Sequence, residues 1–169
     1  MLSFLLQYAI LRILTTSLRA DPIILLPYYS SCIFINLMYE RVYAYIDGAS
    51  KGNPGKASVG IVIKDCYNNT IERYKATIGE ATNNIAEYTA LKVALNLASR
   101  YSNNITIMSD SMLLVNQMNG VYKAKRDHIK RLIHEINDIV KNKGLTVEYR
   151  LVRRESNKEA DALANEALE

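Results

Sequence analysis

The hydrophobic period of the sequence changes near residue 83, and this change limits the folds that the chain can adopt. Before it, three stretches with strand composition lie at residues 41–47, 57–64 and 70–78. Turn-forming residues separate them, at 48–56 and at Tyr67-Asn68-Asn69. Strands joined by such short connections are antiparallel neighbours, so this part of the chain predicts three adjacent strands.

Beyond residue 83 the apolar residues recur at steps of three and four, which is typical of amphipathic helices. The residues that share one face of the first helix, predicted over 84–101, are Ile85, Tyr88, Leu91, Leu95 and Ala98. The further predicted elements are a strand at 104–109, a short helix at 111–118, a helix at about 125–142, a strand at 145–152 and a helix that begins at Ser156. The order βββαβααβα predicts an α/β fold with a five-stranded mixed sheet flanked by helices, in which strands one, four and five are parallel.

Four carboxylates stand where these elements meet a turn or a helix start: Asp47, Glu87, Asp110 and Asp161. Asp47 and Asp110 are predicted to end strands one and four, so they lie side by side at the carboxyl edge of the sheet if those strands are neighbours. Glu87 and Asp161 are predicted in the first turns of two helices. Up to four negative charges held together require divalent cations. The set therefore predicts a metal-dependent site that acts on phosphates.

Capping signals mark the starts of the helices that carry two of these acids. Asn84 with Glu87 three residues later resembles a capping box, and so does Ser156 with Glu159. A second interpretation follows, because an acid near a helix start is favourable without any function. This capping interpretation explains Glu87 or Asp161 taken alone, but it explains the set of four acids less well.

The composition favours a soluble domain with a polyanionic partner. Of the 169 residues, 49% are hydrophobic and 22% are charged, which argues against disorder. The net charge is +4 although several acids belong to one site, so the remaining surface is basic. Cys32 and Cys66 form neither a disulfide framework nor a zinc site, and we expect a reducing, cytoplasmic location. His128 and His134 lie six residues apart, which does not suit two metal ligands on one helix face.

The first 37 residues differ in composition from the rest and are expected to form a hydrophobic extension that precedes a domain at 38–169. The stretch Pro22–Tyr39 has 18 residues without a charge, the minimum length for a membrane span. Two prolines, two serines and an asparagine make it a poor one. Three interpretations of the extension stay open: an ill-packed segment, an over-long start assignment, and a membrane or targeting segment.

Several blocks of sequence resemble ribonuclease H type 1. They are Tyr45–Ser50, Gly52–Gly55, Thr82–Glu87, Ser109–Ser111 and Asn157–Asp161, in the family's order. With Val152-Arg153-Arg154-Glu155 before the last block, the chain is similar to compact archaeal and bacterial members. The resemblance covers residues 38–169 and implies the ribonuclease H-like fold.

The resemblance implies an endonuclease that hydrolyses the RNA strand of RNA–DNA hybrids and leaves 5′-phosphate and 3′-hydroxyl ends. Its catalytic and metal-binding residues would be the same four acids: Asp47, Glu87, Asp110 and Asp161. Two Mg²⁺ ions are implied, with Mn²⁺ as a possible substitute, and Asp47 is the expected bridging ligand. Glu87 and Asp110 would complete the shell of one ion, and Asp161 that of the other. The expected partner is a hybrid duplex bound by a monomer.

The resemblance also implies a set of contacts with the nucleic acid: Gly48, Ser50, Asn53, Thr82, Asn83, Asn84, Arg154 and Asn157. The family's basic protrusion is missing, and Lys123, Lys125 and Arg126 concentrate charge in its place, where they could meet phosphates. The family's flexible-loop histidine is also absent, and Arg154 or Glu155 occupies that region. Turn formation by the asparagines and glycines, and a solvated face for the cations, are the competing interpretations.

Three alternatives to this function are open at the level of sequence. One is another nuclease of the same fold, such as a resolvase or exonuclease, although the block Asn83-Asn84-Ile85-Ala86-Glu87 argues against it. Another is a non-catalytic nucleic-acid-binding domain, which the presence of all four acids disfavours. The third is a membrane-tethered form of the enzyme, because of residues 1–37.

Overall fold

The computed structural model describes residues 39–169, and these form one sheet with helices packed on it. The strands are β1 (Val42–Gly52), β2 (Gly55–Lys64), β3 (Thr70–Ala81), β4 (Asn104–Ser109) and β5 (Thr146–Leu151). Their order across the sheet is β3-β2-β1-β4-β5. The pairs β1–β2 and β2–β3 are antiparallel, whereas β1–β4 and β4–β5 are parallel. The predicted element order and strand directions are confirmed. The predictions for residues 1–37, including the domain boundary, lie outside the described residues.

Within residues 39–169, four helices connect or follow the strands: α1 (Asn83–Ala98), α2 (Met112–Met118), α3 (Asp127–Asn142) and α4 (Lys158–Glu166). A 3-10 turn at Arg154–Ser156 precedes α4. The core lies where α1 packs on the central strands, because alternate residues of β1 and a stripe of α1 are both apolar. Val42, Ala44 and Ile46 of β1 are buried there together with Leu91 and Leu95 of α1.

The hairpin between β1 and β2 is longer than the sequence predicts. Residues 48–52 continue β1 and pair with β2 as far as Gly52 with Gly55, so the loop is only Asn53-Pro54. The prediction of a turn over 48–56 is wrong because pairing with β2 satisfies backbone groups that the glycine-rich composition assigns to a loop. Asp47 therefore does not end its strand. It lies two residues beyond Tyr45, the last β1 residue that pairs with β4.

Both predicted capping boxes are wrong. Thr82, not Asn84, is the N-cap of α1, and its side chain accepts from the Ile85 N–H. Glu87 consequently lies in the second turn of α1. The N-cap of α4 is Asn157, while Ser156 belongs to the preceding 3-10 turn. Asp161 lies in the first turn of α4, as predicted.

Other sequence expectations concern the surface of the described region. His128 and His134 are exposed, and Cys66 is an exposed free thiol. Between residues 39 and 169, no helix combines the length and the apolar character that a membrane crossing demands.

Candidate active site at the end of the parallel strands

The four predicted acids line one cleft at the edge of the sheet where β1 leaves β4. The cleft has a volume of about 310 Å³, and its lining includes Asp47, Glu87, Asp110 and Asp161. They come from β1, α1, the β4–α2 junction and α4, which are distant in sequence. The predicted convergence of the four carboxylates is therefore present in the structure.

Two glycines let the helices that carry Glu87 and Asp161 approach the sheet. A Cβ atom on Gly48 would lie 2.3 Å from the backbone nitrogen of Glu87, so α1 rests directly on the backbone of β1. A Cβ atom on Gly60 would lie 2.1 Å from the carbonyl oxygen of Ala160 in α4. Gly60 is also the register partner of Asp47 across β1 and β2. The close contact with α4 therefore brings Asp161 towards Asp47.

Glu87 is held by hydrogen bonds from two side chains. The Ser111 hydroxyl donates to Oε2 at 2.5 Å, and the Asn83 amide donates to Oε1 at 3.3 Å. Burial raises the pKa of Glu87, the Ser111 hydrogen bond lowers it, and the charge of Asp110 raises it. Ser111 is also the N-cap of α2. Its link to Glu87 escapes sequence analysis because the two residues are 24 positions apart.

Asp47 has a strongly raised pKa. Burial, followed by the charges of Asp110, Asp161 and Glu87, raises the pKa of Asp47 from 3.8 to about 7. The backbone N–H of Gly48 opposes this shift only in part. The cleft therefore concentrates more negative charge than the neighbouring protein groups offset, and this arrangement favours a bound cation.

Asn157 lies at the base of the cleft and is 1% exposed. Its Nδ2 donates to Asp110 Oδ1 at 2.9 Å and to the carbonyl oxygen of Ile46 at 2.9 Å. The predicted contact between Asn157 and a nucleic acid is therefore corrected, because the side chain is buried and both of its N–H donors are used within the protein.

Arg154 lies at the rim of the cleft, next to Asp161. Its side chain is 77% exposed, and Nη2 lies 3.4 Å from Asp161 Oδ1. Such an exposed pair adds little to stability. Arg154 therefore brings a positive charge to the cleft mouth that is available to an anionic ligand.

The other predicted contact residues divide between the cleft and a neighbouring groove. Gly48, Ser50, Asn83 and Arg154 line the cleft. The groove is lined by Asn84, Lys123, Lys125 and Arg126 among others. Asn53 lies at the tip of the β1–β2 hairpin, where its Oδ1 accepts from the Asn83 N–H at 3.3 Å. Thr82 caps α1, next to Asn83. Apart from Asn157, all these residues lie in or beside the two cavities.

The groove, which we call the basic groove, has a volume of about 530 Å³. Its apolar lining comes from Tyr88, Leu113, Val121, Tyr122 and Ile129. Lys123, Lys125 and Arg126 are exposed along it. Leu113 and Val121 were not predicted to belong to a functional surface, and their sequence context gives no signal for it. The cations along its rim suit the anionic phosphates of a nucleic acid.

The donor set of the cleft fits a hard divalent cation such as Mg²⁺. Carboxylate oxygens are the protein ligands that this ion prefers, and it usually keeps waters and substrate phosphates in its remaining positions. Across residues 39–169, no three acidic, imidazole or thiol groups converge tightly enough to enclose an ion by themselves. An open cleft lined by carboxylates agrees with ions that are shared between protein and substrate.

Comparisons with known proteins agree on one family. The family described as reverse transcriptase-like matches residues 45–167. Ribonuclease HI of Halobacterium salinarum is 39% identical over 137 residues, which are 76% of this chain and 65% of that protein. The crystal structure of ribonuclease H1 from the same archaeon is similar with a TM-score of 0.72 and covers 76% of this chain and 97% of the solved chain.

A third similarity is to LC11-RNase H1, whose crystal structure is in complex with an RNA/DNA hybrid. It is 38% identical with a TM-score of 0.72, over 75% of this chain and 95% of the solved chain. The chain covers a smaller share of the curated full-length relatives than of the solved chains. The chain spans 65% of the Halobacterium protein and 36% of a bifunctional protein of Mycobacterium tuberculosis.

Proposed function

The chain belongs to the ribonuclease H family, and we propose that it is a metal-dependent endonuclease that hydrolyses the RNA strand of RNA–DNA hybrids. The observation that carries the proposal is the single cleft lined by four carboxylates from four separate elements. The hybrid bound to the similar LC11-RNase H1 supports the same class of substrate.

We assign the four acids as the ligands of two Mg²⁺ ions. Asp47 would bridge them, since its position in a paired strand is rigid; Glu87 and Asp110 would complete one shell, and Asp161 the other. When bound, the ions would supply activation of the attacking water and charge stabilisation at the leaving 3′ oxygen, and the products would carry 5′-phosphate and 3′-hydroxyl ends. The chain itself contributes fixed carboxylates, with Ser111 and Asn83 holding Glu87 and Arg154 placing a positive charge beside Asp161.

Selection of the RNA strand requires contacts with 2′-hydroxyl groups in a shallow minor groove. We assign these contacts to Asn53, Asn83 and Asn84 with the backbone of Gly48–Ser50. Asn83 and Gly48–Ser50 line the cleft, Asn53 accepts from the Asn83 N–H, and Asn84 lines the adjoining basic groove. Lys123, Lys125 and Arg126 would meet the phosphates of the duplex along the basic groove. We further propose that the protein acts as a monomer. We also propose a cytoplasmic location, which is supported by a cysteine content that gives no disulfide framework.

Incubation with labelled substrates tests the proposed function. RNA–DNA hybrid, double-stranded RNA and double-stranded DNA are each incubated with Mg²⁺, Mn²⁺ or EDTA. The expected result is cleavage of the RNA strand of the hybrid alone, with either metal, and no cleavage in EDTA. Tight hybrid binding without cleavage would favour a non-catalytic binding domain, and cleavage of DNA would favour another nuclease of the fold.

A further inference from the structure

The Asn157 carboxamide is buried at the junction of three elements that carry acids of the cleft. Its backbone carbonyl accepts from the Asp161 N–H at 3.1 Å within α4. Its Nδ2 reaches the Asp110 carboxylate after β4 and the Ile46 carbonyl of β1, directly before Asp47, at 2.9 Å each. One residue thus connects the backbone beside Asp47 with Asp110 through its side chain, and its backbone carbonyl belongs to the start of the helix that carries Asp161.

The orientation of this carboxamide is set by its neighbours. Both contacting atoms, Asp110 Oδ1 and the Ile46 oxygen, are acceptors, so a reversed amide would place oxygen against oxygen. The Ile46 carbonyl also lies beyond Tyr45–Met108, the last residue pair of the β1–β4 ladder, and Asn157 donates to it there. The two N–H groups therefore have fixed partners where strand pairing ends.

The remaining polar atom of the side chain has no partner. Asn157 Oδ1 is buried and accepts no hydrogen bond from any group of residues 39–169. An unpaired buried acceptor is unfavourable for folding. Asn157 leaves this buried acceptor unpaired while its donors contact a carboxylate of the cleft. This arrangement indicates that the side chain has a role beyond stability.

We propose that Asn157 is a positioning residue that fixes the Asp110 carboxylate relative to β1, and so sets the arrangement of Asp110 and Asp47 for divalent-cation binding. This inference rests on the proposed metal-dependent function. By donating to Oδ1, Asn157 holds Asp110 in one rotamer and leaves Oδ2 as the oxygen for a cation. The residue itself does not touch the substrate.

The test compares Asn157→Leu, which keeps a similar shape without donors, and Asn157→Ala with the wild-type chain. Ser102→Ala is the matched control, because Ser102 is 1% exposed and bonds the Glu40 carbonyl at the opposite edge of the sheet. Mn²⁺ affinity is measured by electron paramagnetic resonance without nucleic acid, and kcat and KM are measured on the hybrid. Both Asn157 variants are expected to bind Mn²⁺ about 10-fold more weakly and to lose about 10-fold or more in kcat, with KM unchanged within about twofold.

Failure of the positioning role and failure of the proposed nuclease function give different results in these measurements. Wild-type Mn²⁺ affinity and kcat in both Asn157 variants would overturn the positioning role, and so would a raised KM with normal kcat, which is the mark of a substrate contact. A wild-type chain that cleaves no hybrid would overturn the proposed function, while Mn²⁺ affinity still tests the role of Asn157.

A measurement on the wild-type chain covers the case in which the variants do not fold. In nuclear magnetic resonance spectra of the metal-free protein, the two Asn157 side-chain N–H protons are expected to exchange slowly with solvent and to shift on addition of Mg²⁺. Exchange as fast as that of the exposed Asn137, or no shift with Mg²⁺, would overturn the inference.

Discussion

Asp47 shows, at the scale of a single residue, how the site acts against the stability of the fold. It lies inside β1, where it pairs with β2 but lies beyond the last pair with β4, and its pKa is raised to about 7 first by burial and then by three neighbouring carboxylates. In the metal-free protein its ionisation is unfavourable, because the charge is desolvated and repelled. A carboxylate kept in such a place indicates a need for negative charge there, which a bound cation would offset.

This conflict predicts a pH-dependent effect of Asp47→Asn on the metal-free protein. Between the unfolded pKa of 3.8 and the folded value of about 7, the unfolded chain has released a proton that the folded chain retains, so wild-type stability falls as pH rises. The Asn side chain does not titrate. In EDTA the free energy of unfolding of Asp47→Asn should exceed that of the wild type by roughly 1–4 kcal/mol above pH 7, and the gain should shrink towards pH 4. Urea unfolding at several pH values measures it.

Asp65→Asn is the matched control for this titration. Hydrogen bonds from Asn69 first, and also from Tyr67, lower the pKa of this partly buried acid. Its stabilising contribution is present above its unfolded pKa, so the control variant should be less stable than the wild type near neutral pH. Stability curves of Asp47→Asn and the wild type that run parallel across this pH range would contradict the account.

At the scale of elements, the site depends on how closely α4 lies on β2. Gly60→Ala places a Cβ 2.1 Å from the Ala160 carbonyl and 2.5 Å from the Ala164 nitrogen, so helix or strand must shift. We expect a loss of about 1–3 kcal/mol in stability from overpacking. The rate of hybrid cleavage by the folded fraction should fall about 10-fold or more, because Asp161 moves with α4. Denaturant unfolding and single-turnover cleavage measure the two effects.

Gly79→Ala separates the movement of the helix from a general loss of stability. Gly79 has a φ of +81°, so alanine is strained there, but no atom lies within 4 Å of the added Cβ. This control should lose stability without any change in the cleavage rate of the folded protein. Equal losses of rate in both glycine variants would contradict the role of Gly60 in placing α4.

The sequence predicts the elements well where hydrophobic period and connection length decide them. The three antiparallel strands and the parallel β1–β4–β5 set follow from short and helical connections. The prediction fails for residues 48–52, where a composition typical of a loop pairs with β2 across the sheet. It also fails at Thr82, because Asn84 has similar capping chemistry two residues later.

The acids of the site can be predicted from the residues alone, whereas Gly48, Ser50, Asn83 and Arg154 of its lining follow only from the family resemblance. Asp47 and Asp110 follow apolar runs that identify the strands, so their convergence can be inferred from topology. The contacts that hold the acids have no local signal. Asn157 and Asp110 are 47 residues apart in the chain. The sequence around Gly60 is that of an ordinary strand and does not indicate its close contact with α4.

At the scale of the whole molecule, acidic and basic groups are separated. The net charge is +4 although four acids share one cleft, and the cations of the basic groove lie beside it. A polyanion would be attracted to the surrounding surface, and bound divalent cations would offset the charge of the acidic centre. The arrangement fits a duplex that spans both the groove and the cleft.

Replacement of Lys123, Lys125 and Arg126 by alanine tests the basic groove. Hybrid affinity should fall, and the slope of log K against log salt should become shallower by about 2 to 3, because fewer counterions are released. Stability should be nearly unchanged, since these side chains are exposed. Binding titrations at several salt concentrations measure the slope.

The control replaces three exposed lysines outside the groove: Lys75, Lys141 and Lys143. This variant loses the same total charge as the groove variant. Because its lysines lie away from the groove, we expect only a weak, non-specific loss of hybrid affinity. An equal change of slope in the two triple variants would show that net charge, rather than the groove, governs binding.

One rate comparison decides whether the four-carboxylate cleft hydrolyses the RNA of a hybrid. Single-turnover cleavage of the labelled RNA strand in Mg²⁺ is measured for the wild type, for Asp47→Asn and for Asp138→Asn, an exposed acid on α3. We expect Asp47→Asn to remain folded and to lose at least about 1,000-fold in rate, while Asp138→Asn cleaves normally. Cleavage by folded Asp47→Asn at the wild-type rate would contradict the account.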